Sequence, residues 1–276
     1  MSGQGFASAA ELPEELRQPL GALLLALADN KRLLGMRYSE WILGAPTLEA
    51  GIACSAMAQD EWGHGRIVYA MLKDFGYDPA ELEHEREAAA YHCSELLDQP
   101  AGNWAELVAI NLLLDTALSV QFAGMRRGRY EPMHYKAKKL LDEERFHIGH
   151  GRGWTARLAE TEAGRSALAE AFRPAWESCL RWFGSPDGTI GDLLSEHGVV
   201  AGGPAQLRTE WLAQVGPVVH AAGLGLVEPD GERWSSTVEP DWSGWDAERR
   251  RVGSGGPDDA TLAGVRGDKN RAMLLD

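Results

Sequence analysis

The stretches Met57-Ala-Gln-Asp-Glu-Trp-Gly-His-Gly65 and Leu140-Leu-Asp-Glu-Glu-Arg-Phe-His147 decide the fold. Each sets a glutamate three residues before a histidine, Glu61/His64 and Glu144/His147, inside a segment with helical periodicity. Residues i and i+3 share a helix face, so a carboxylate and an imidazole at this spacing reach one metal ion together. Bundles that hold two metals through carboxylates use this pattern: two helices each give a Glu-x-x-His pair, and two others each give a lone carboxylate. Glu81/His84 and Glu131/His134 have the same spacing. The first lies in Glu-Leu-Glu-His-Glu-Arg-Glu, which is charged on every helical face and reads as a solvated surface. The second straddles Pro132 in a first helical turn, where capping electrostatics explain the glutamate.

Outward from the motifs, apolar residues recur at three- and four-residue spacing, which predicts helices over about 13–43, 48–75, 103–127, 133–158, 165–183 and 204–224. Gly44-Ala45-Pro46-Thr47 breaks the first from the second, with Thr47 as a cap, and Gly76-Tyr77-Asp78-Pro79 ends the second. Gly128 to Pro132 separates the third from the fourth, and Gly184-Ser185-Pro186-Asp187-Gly188 ends the fifth. After Glu228 periodicity gives way to Gly, Asp, Ser, Trp and Arg, which reads as an irregular tail. The expected organisation is a helical bundle domain over 1–227 and a tail over 228–276. The fold class is all-α: a ferritin-like four-helix bundle with extra C-terminal helices.

Depth along the helices selects the other ligands. At 1.5 Å per residue, Glu144 and Asp115 lie about 21 and 22 Å from the turn at Tyr130, and so at one level. Asp115 interrupts an apolar run, Leu112 to Leu118, where a buried acid needs either a metal or a cation. Glu61 and Asp29 each lie about 24 Å from the turn at Ala45, which makes Asp29 the candidate fourth carboxylate. Glu40 shares Asp29's face but lies only about 8 Å from that turn, and reads as a partner of Arg37 or another cation. Asp60 and Asp142 are candidate supports for the two histidines.

The formal net charge of -14 and a pI near 5.0 argue against a surface that neutralises phosphate backbones, so nucleic acid is not an expected partner. The run Leu20 to Ala28 is far shorter than the roughly 20 residues that span a bilayer, and no charged segment of signal type opens the chain. A cytoplasmic protein without a membrane partner is expected. Cys54, Cys93 and Cys179 form no paired motif and read as buried thiols.

At the quoted residues the sequence resembles the phenylacetyl-CoA epoxidase family, whose catalytic subunit is a ferritin-like di-iron protein. Gln59 to Gly65, Leu114-Asp115 and Asp142 to His147 resemble the catalytic subunit's ligand segments on its second to fourth helices. Phe183-Gly184 and the stretch from Val215 to Pro229 resemble it too. Leu27 to Trp41, followed by Ala45 to Leu48, looks more like the family's non-catalytic partner subunit. The resemblance runs from about Leu20 to Trp245. It departs at the first helix, where the catalytic subunit's glutamate falls on Lys31, or on Arg32 with one gap.

The resemblance implies a non-haem di-iron oxygenase that acts on an aromatic or acyl-CoA thioester with O2. Two iron ions, or manganese, would be held by Asp29, Glu61, His64, Asp115, Glu144 and His147, with Glu61, Asp115 and Glu144 as the catalytic carboxylates. No flavin, nicotinamide or iron-sulfur motif is visible, so a separate reductase would supply electrons. A homodimer, or a hetero-oligomer with a related subunit, is the expected assembly. Trp62, Phe122 and Phe146 would line a substrate pocket or belong to ordinary core. Arg126, Arg127, Arg129, Lys136, Lys138 and Lys139 would receive coenzyme A phosphates or form a solvated helix end. The alternatives are a catalytically silent partner subunit, an oxidase or N-oxygenase of another small substrate, and an iron-storage protein, for which the sequence offers no sign of a self-assembling shell.

Overall fold

In the computed structural model, which describes residues 5–185 and 190–267, the chain forms two compact units. One comprises residues 12–101 and 244–276, the other residues 1–11 and 102–243. The break at Pro186 to Gly188 and the tail beyond Gly267 lie outside the described residues.

The first unit is built on an antiparallel hairpin of α1 (Glu14–Glu40) and α2 (Leu48–Met71). Thr47 caps α2 by accepting from the Ala50 amide at 3.2 Å, as its position after Gly44-Ala45-Pro46 predicts. The helices close in at Gly65, where an added Cβ would stand 3.3 Å from both the Ala28 carbonyl oxygen and the Arg32 amide nitrogen. A short α3 (Pro79–His84) follows.

A buried knot ties α1 to the segment after α3. Asp29, fully buried, accepts from Tyr69 Oη at 2.5 Å, from the His92 amide at 2.7 Å and from Arg86 Nη1 at 2.9 Å, and pairs also with Arg86 Nη2. Burial works against the Arg86 charge, but Asp29's charge and hydrogen bonds outweigh it and raise the Arg86 pKa. Burial, then the neighbouring Asp29, pushes the Tyr69 phenol well above its usual value, so it stays a donor. The stretch that reads as wholly solvated thus contains a buried arginine. Asp29's carboxylate, expected at a metal, is spent on this knot.

The second unit contains a continuous helical rod from Trp104 to Arg127: α4 (Trp104–Ala109), a π-helical segment (Ile110–Asp115) and α5 (Thr116–Arg127). It is long and apolar enough to cross a membrane, but 94% of its most apolar window is buried inside the protein. Beside it run α6 (Pro132–Ala159), α7 (Glu162–Trp182) and α9 (Pro204–Ala221), and between the last two in sequence comes α8 (Ile190–Glu196), which the sequence pattern missed. Pro132 sits at the N-terminal end of α6, and His134 bonds the Gly128 carbonyl at 2.6 Å, so Glu131/His134 belongs to the turn.

The tail is more ordered than its composition suggests. β1 (Val227–Asp230) pairs antiparallel with β2 (Arg233–Ser236) in the second unit. In the first unit, β3 (Trp245–Asp246) pairs with β4 (Arg251–Val252), and α10 (Asp259–Arg266) packs on α1. Arg251 pairs there with Asp98 at 2.5 Å, and Arg37 donates to Thr261 at 2.6 Å. These contacts are long-range in sequence, which is why periodicity did not reveal them. The three cysteines are buried and form no disulfide.

Removing the Asp29 carboxylate strands a buried arginine. Asp29→Ala should therefore destabilise the fold by about 3–5 kcal/mol in urea denaturation, with metal content unaltered. Lost metal with unaltered stability would return Asp29 to the ligand set.

Candidate metal centre

The rod and α6 bring three of the expected ligands together. One ligand atom from each of Asp115, Glu144 and His147 lies within 4.8 Å of the others, and all three residues are buried. His147 Nδ1 stands 3.2 Å from Asp115 Oδ2 and 3.6 Å from Glu144 Oε2. Ser119, one turn beyond Asp115, donates to Glu144 Oε2 at 3.3 Å and orients that carboxylate.

Local backbone geometry makes this convergence possible. Asp115 closes the π-helical segment, a rare widening of the helix that occurs often at functional sites because it re-aims side chains. Trp211 of α9 steadies the widened turn by donating its indole N–H to the Leu113 carbonyl at 3.0 Å. On the other side α6 approaches at Gly151, one turn past His147. An added Cβ there would stand 2.8 Å from Asn111 Oδ1 and 3.1 Å from Leu112 Cα. A small residue at that point lets His147 reach Asp115.

Glu61 and His64 lie on α2 of the first unit. Both are buried, with His64 Nδ1 3.9 Å from Glu61 Oε2. Glu61 Oε1 accepts from Lys31 Nζ at 3.0 Å, and both side chains are fully buried. Lys31, not Asp29, is the α1 residue that meets Glu61. The sequence carried a sign of this: Lys31 lies on the same helical stripe as Leu27, Leu34 and Tyr38, all buried. Glu40 pairs with Arg37 at 3.3 Å.

Several expected supporting roles fall elsewhere. Asp142 is exposed and pairs with Lys138 at 3.6 Å, so it does not support His147. Phe146 is 79% exposed and lines no interior pocket, whereas Phe122 is fully buried and Trp62 partly so. In the basic cluster, Arg127 binds Glu210 at 2.8 Å, Lys139 pairs with Glu143 at 3.9 Å, and Arg129 donates to the His197 carbonyl at 3.0 Å. These contacts make it a solvated helix end.

His150, which sequence reasoning passed over, follows His147 by one turn and meets the Trp104 ring edge-on at a centroid distance of 6.1 Å. Burial, then the charge of His147, lowers its pKa to about 4. A histidine held neutral in the fold gives stability that is complete above the unfolded value near 6.5 and is lost as pH falls toward the folded value. Stability should therefore decline between about pH 6.5 and 4, and His150→Gln should flatten that slope in denaturation series. An unchanged slope would remove His150 from the acid response. Gly151→Ala should cost about 1–3 kcal/mol by overpacking against Asn111 and Leu112, read by the same denaturation.

A buried cluster of one imidazole and two carboxylates is of the kind that binds a metal. Comparison with known proteins agrees in class. Two different subunits of the 1,2-phenylacetyl-CoA epoxidase from Escherichia coli (strain K12) are similar to this chain. One is 28% identical over 217 residues, covering 78% of this chain and 86% of its own length. The other is 30% identical over 222 residues, covering 79% of this chain and 72% of its own length. Both belong to an oxygenase system. Residues 4–240 match the family described as phenylacetic acid catabolic protein. The chain belongs to this phenylacetic acid catabolic protein family, whose fold is ferritin-like and helical.

Proposed function

We propose that this chain is a metal-dependent oxygenase subunit that inserts one oxygen atom from O2 into an aryl- or acyl-CoA thioester, with iron as the metal and manganese as the alternative. The observation that carries this reading is the buried Asp115, Glu144 and His147 cluster at the end of a π-helical segment. The donor set fits the group: two hard carboxylates and an imidazole suit ferrous or manganous ion. Two acids drawn into a low-dielectric interior also favour a cation between them. The names of the two Escherichia coli relatives support the substrate class. The proposal places the protein in the cytoplasm, within a hetero-oligomer served by a separate reductase.

Bound at this cluster, the metal would supply activation of O2. The chain's own residues have simpler tasks. His147 presents an imidazole whose orientation is set by its contact with Asp115, and Ser119 restricts Glu144 to one rotamer by its hydrogen bond. The burial of Asp115, Glu144 and His147 keeps bulk water from the cluster.

A second reading, a catalytically silent partner subunit, draws support from one observation: a buried lysine meets Glu61 where a carboxylate of α1 was expected.

The two readings separate in one assay. Ferrous-loaded protein, a chemical reductant and a panel of CoA thioesters under labelled O2 should yield a product heavier by one labelled oxygen, detected by mass spectrometry. His147→Ala should abolish both the product and most of the bound iron. Iron retained at the wild-type cluster with every thioester unmodified would favour the silent subunit.

A further inference from the structure

The π-helical segment that carries Asp115 is held from outside by a chain of contacts that begins in the tail. Trp211 of α9 donates to the Leu113 carbonyl at 3.0 Å. Its ring packs on that of Trp176 of α7 at a centroid distance of 4.7 Å, and Trp176 donates its own indole N–H to Ser236 Oγ at 3.0 Å. Ser236 ends β2, within the stretch whose composition reads as an irregular tail. All four elements belong to the second unit. We propose that the β1–β2 hairpin positions the metal ligand Asp115 through this chain, with Ser236, Trp176 and Trp211 as positioning residues. This role rests on the metal centre argued above and names the part of the fold that fixes its geometry.

Each link is held at both ends. The two tryptophan rings are fully buried, and a buried indole N–H needs an acceptor, so each ring is kept in the orientation that supplies one. The Ser236 hydroxyl is fixed in turn, since it donates to the Val238 carbonyl at 2.8 Å and accepts from the Val238 amide at 3.1 Å. The hairpin itself sits on α9, where an added Cβ at Gly216 would stand 2.7 Å from Trp234 Cγ and the Trp234 ring meets His220 at 5.3 Å. At the inner end the Leu113 carbonyl accepts from the Thr116 amide as well, so Trp211 is not needed to satisfy that oxygen. What Trp211 adds is lateral restraint on a widened turn that competes with regular helix, two residues before Asp115. A shift there moves the Asp115 carboxylate, which stands 3.2 Å from His147 Nδ1.

The test is anaerobic cobaltous titration of the full chain, which reads affinity and, through the visible d–d bands, ligand geometry. Trp211→Phe keeps a ring but removes the N–H, and Ser236→Ala removes the acceptor of Trp176. Each should weaken cobalt binding by roughly tenfold to a hundredfold and alter the bands, with helix content by circular dichroism unchanged. Ser236→Thr keeps the hydroxyl and should retain the wild-type affinity. Thr237→Val removes a hairpin bond to the Gly225 carbonyl but nothing from Trp176, and should leave the affinity unchanged too. Should Trp211→Phe fail to fold, Ser236→Ala decides alone. Unchanged affinity and bands in Ser236→Ala, or an equal loss in Thr237→Val, would overturn the hairpin's role and leave the metal centre standing. No cobalt bound by wild type would overturn the centre and this role with it.

Discussion

A carboxylate taken into a dry protein interior must meet a positive charge, and this constraint organises the buried polar structure of the molecule. In the first unit the cations come from the chain itself: Arg86 for Asp29, Lys31 for Glu61, Arg251 for Asp98 and Arg37 for the half-buried Glu40. Two of these pairings also fix a segment of little regular structure. Arg86 and the His92 amide hold the stretch after α3 against α1, and Arg251 holds the β3/β4 hairpin against the loop that carries Asp98. In the second unit Asp115 and Glu144 are gathered around an imidazole instead, with Ser119 as a hydrogen-bond donor.

The geometry that gathers those ligands depends on departures from regular helix packing. An unbroken α-helical rod would aim Asp115 differently, and the π-helical segment re-aims it toward α6. Trp211 holds that segment open and Gly151 lets α6 approach it. A comparable close approach at Gly65 brings α2 against α1 and puts Glu61 within reach of Lys31. Small residues beside the two motif histidines thus set how far each helix can close on its neighbour, and so which groups meet.

Much of this was legible in the sequence, for identifiable reasons. The long helices have strong periodicity and clear Gly and Pro punctuation, so α1, α2, the Trp104–Arg127 rod, α6, α7 and α9 lie where the pattern puts them. Equal depth from a short turn paired Asp115 with the Glu144 motif because those helices pack side by side. The same argument failed for Asp29. Depth fixes the level of a residue, not its azimuth, and two residues along a helix are about 200° apart, so Asp29 and Lys31 face different sides of α1. The sequence also hid the π-helical segment, since widening by one residue leaves no mark in an all-apolar run such as Ile110 to Leu114. The ordered tail was hidden because its partners, Asp98, Cys93 and Thr261 with Arg37, are brought in from distant parts of the chain.

Family membership and the buried cluster of Asp115, Glu144 and His147 together support the proposed oxygenase subunit. The most direct test is the anomalous difference map at the iron edge from crystals loaded with ferrous ion without oxygen. The account requires iron at Asp115, Glu144 and His147. A map without a peak at these residues would contradict it.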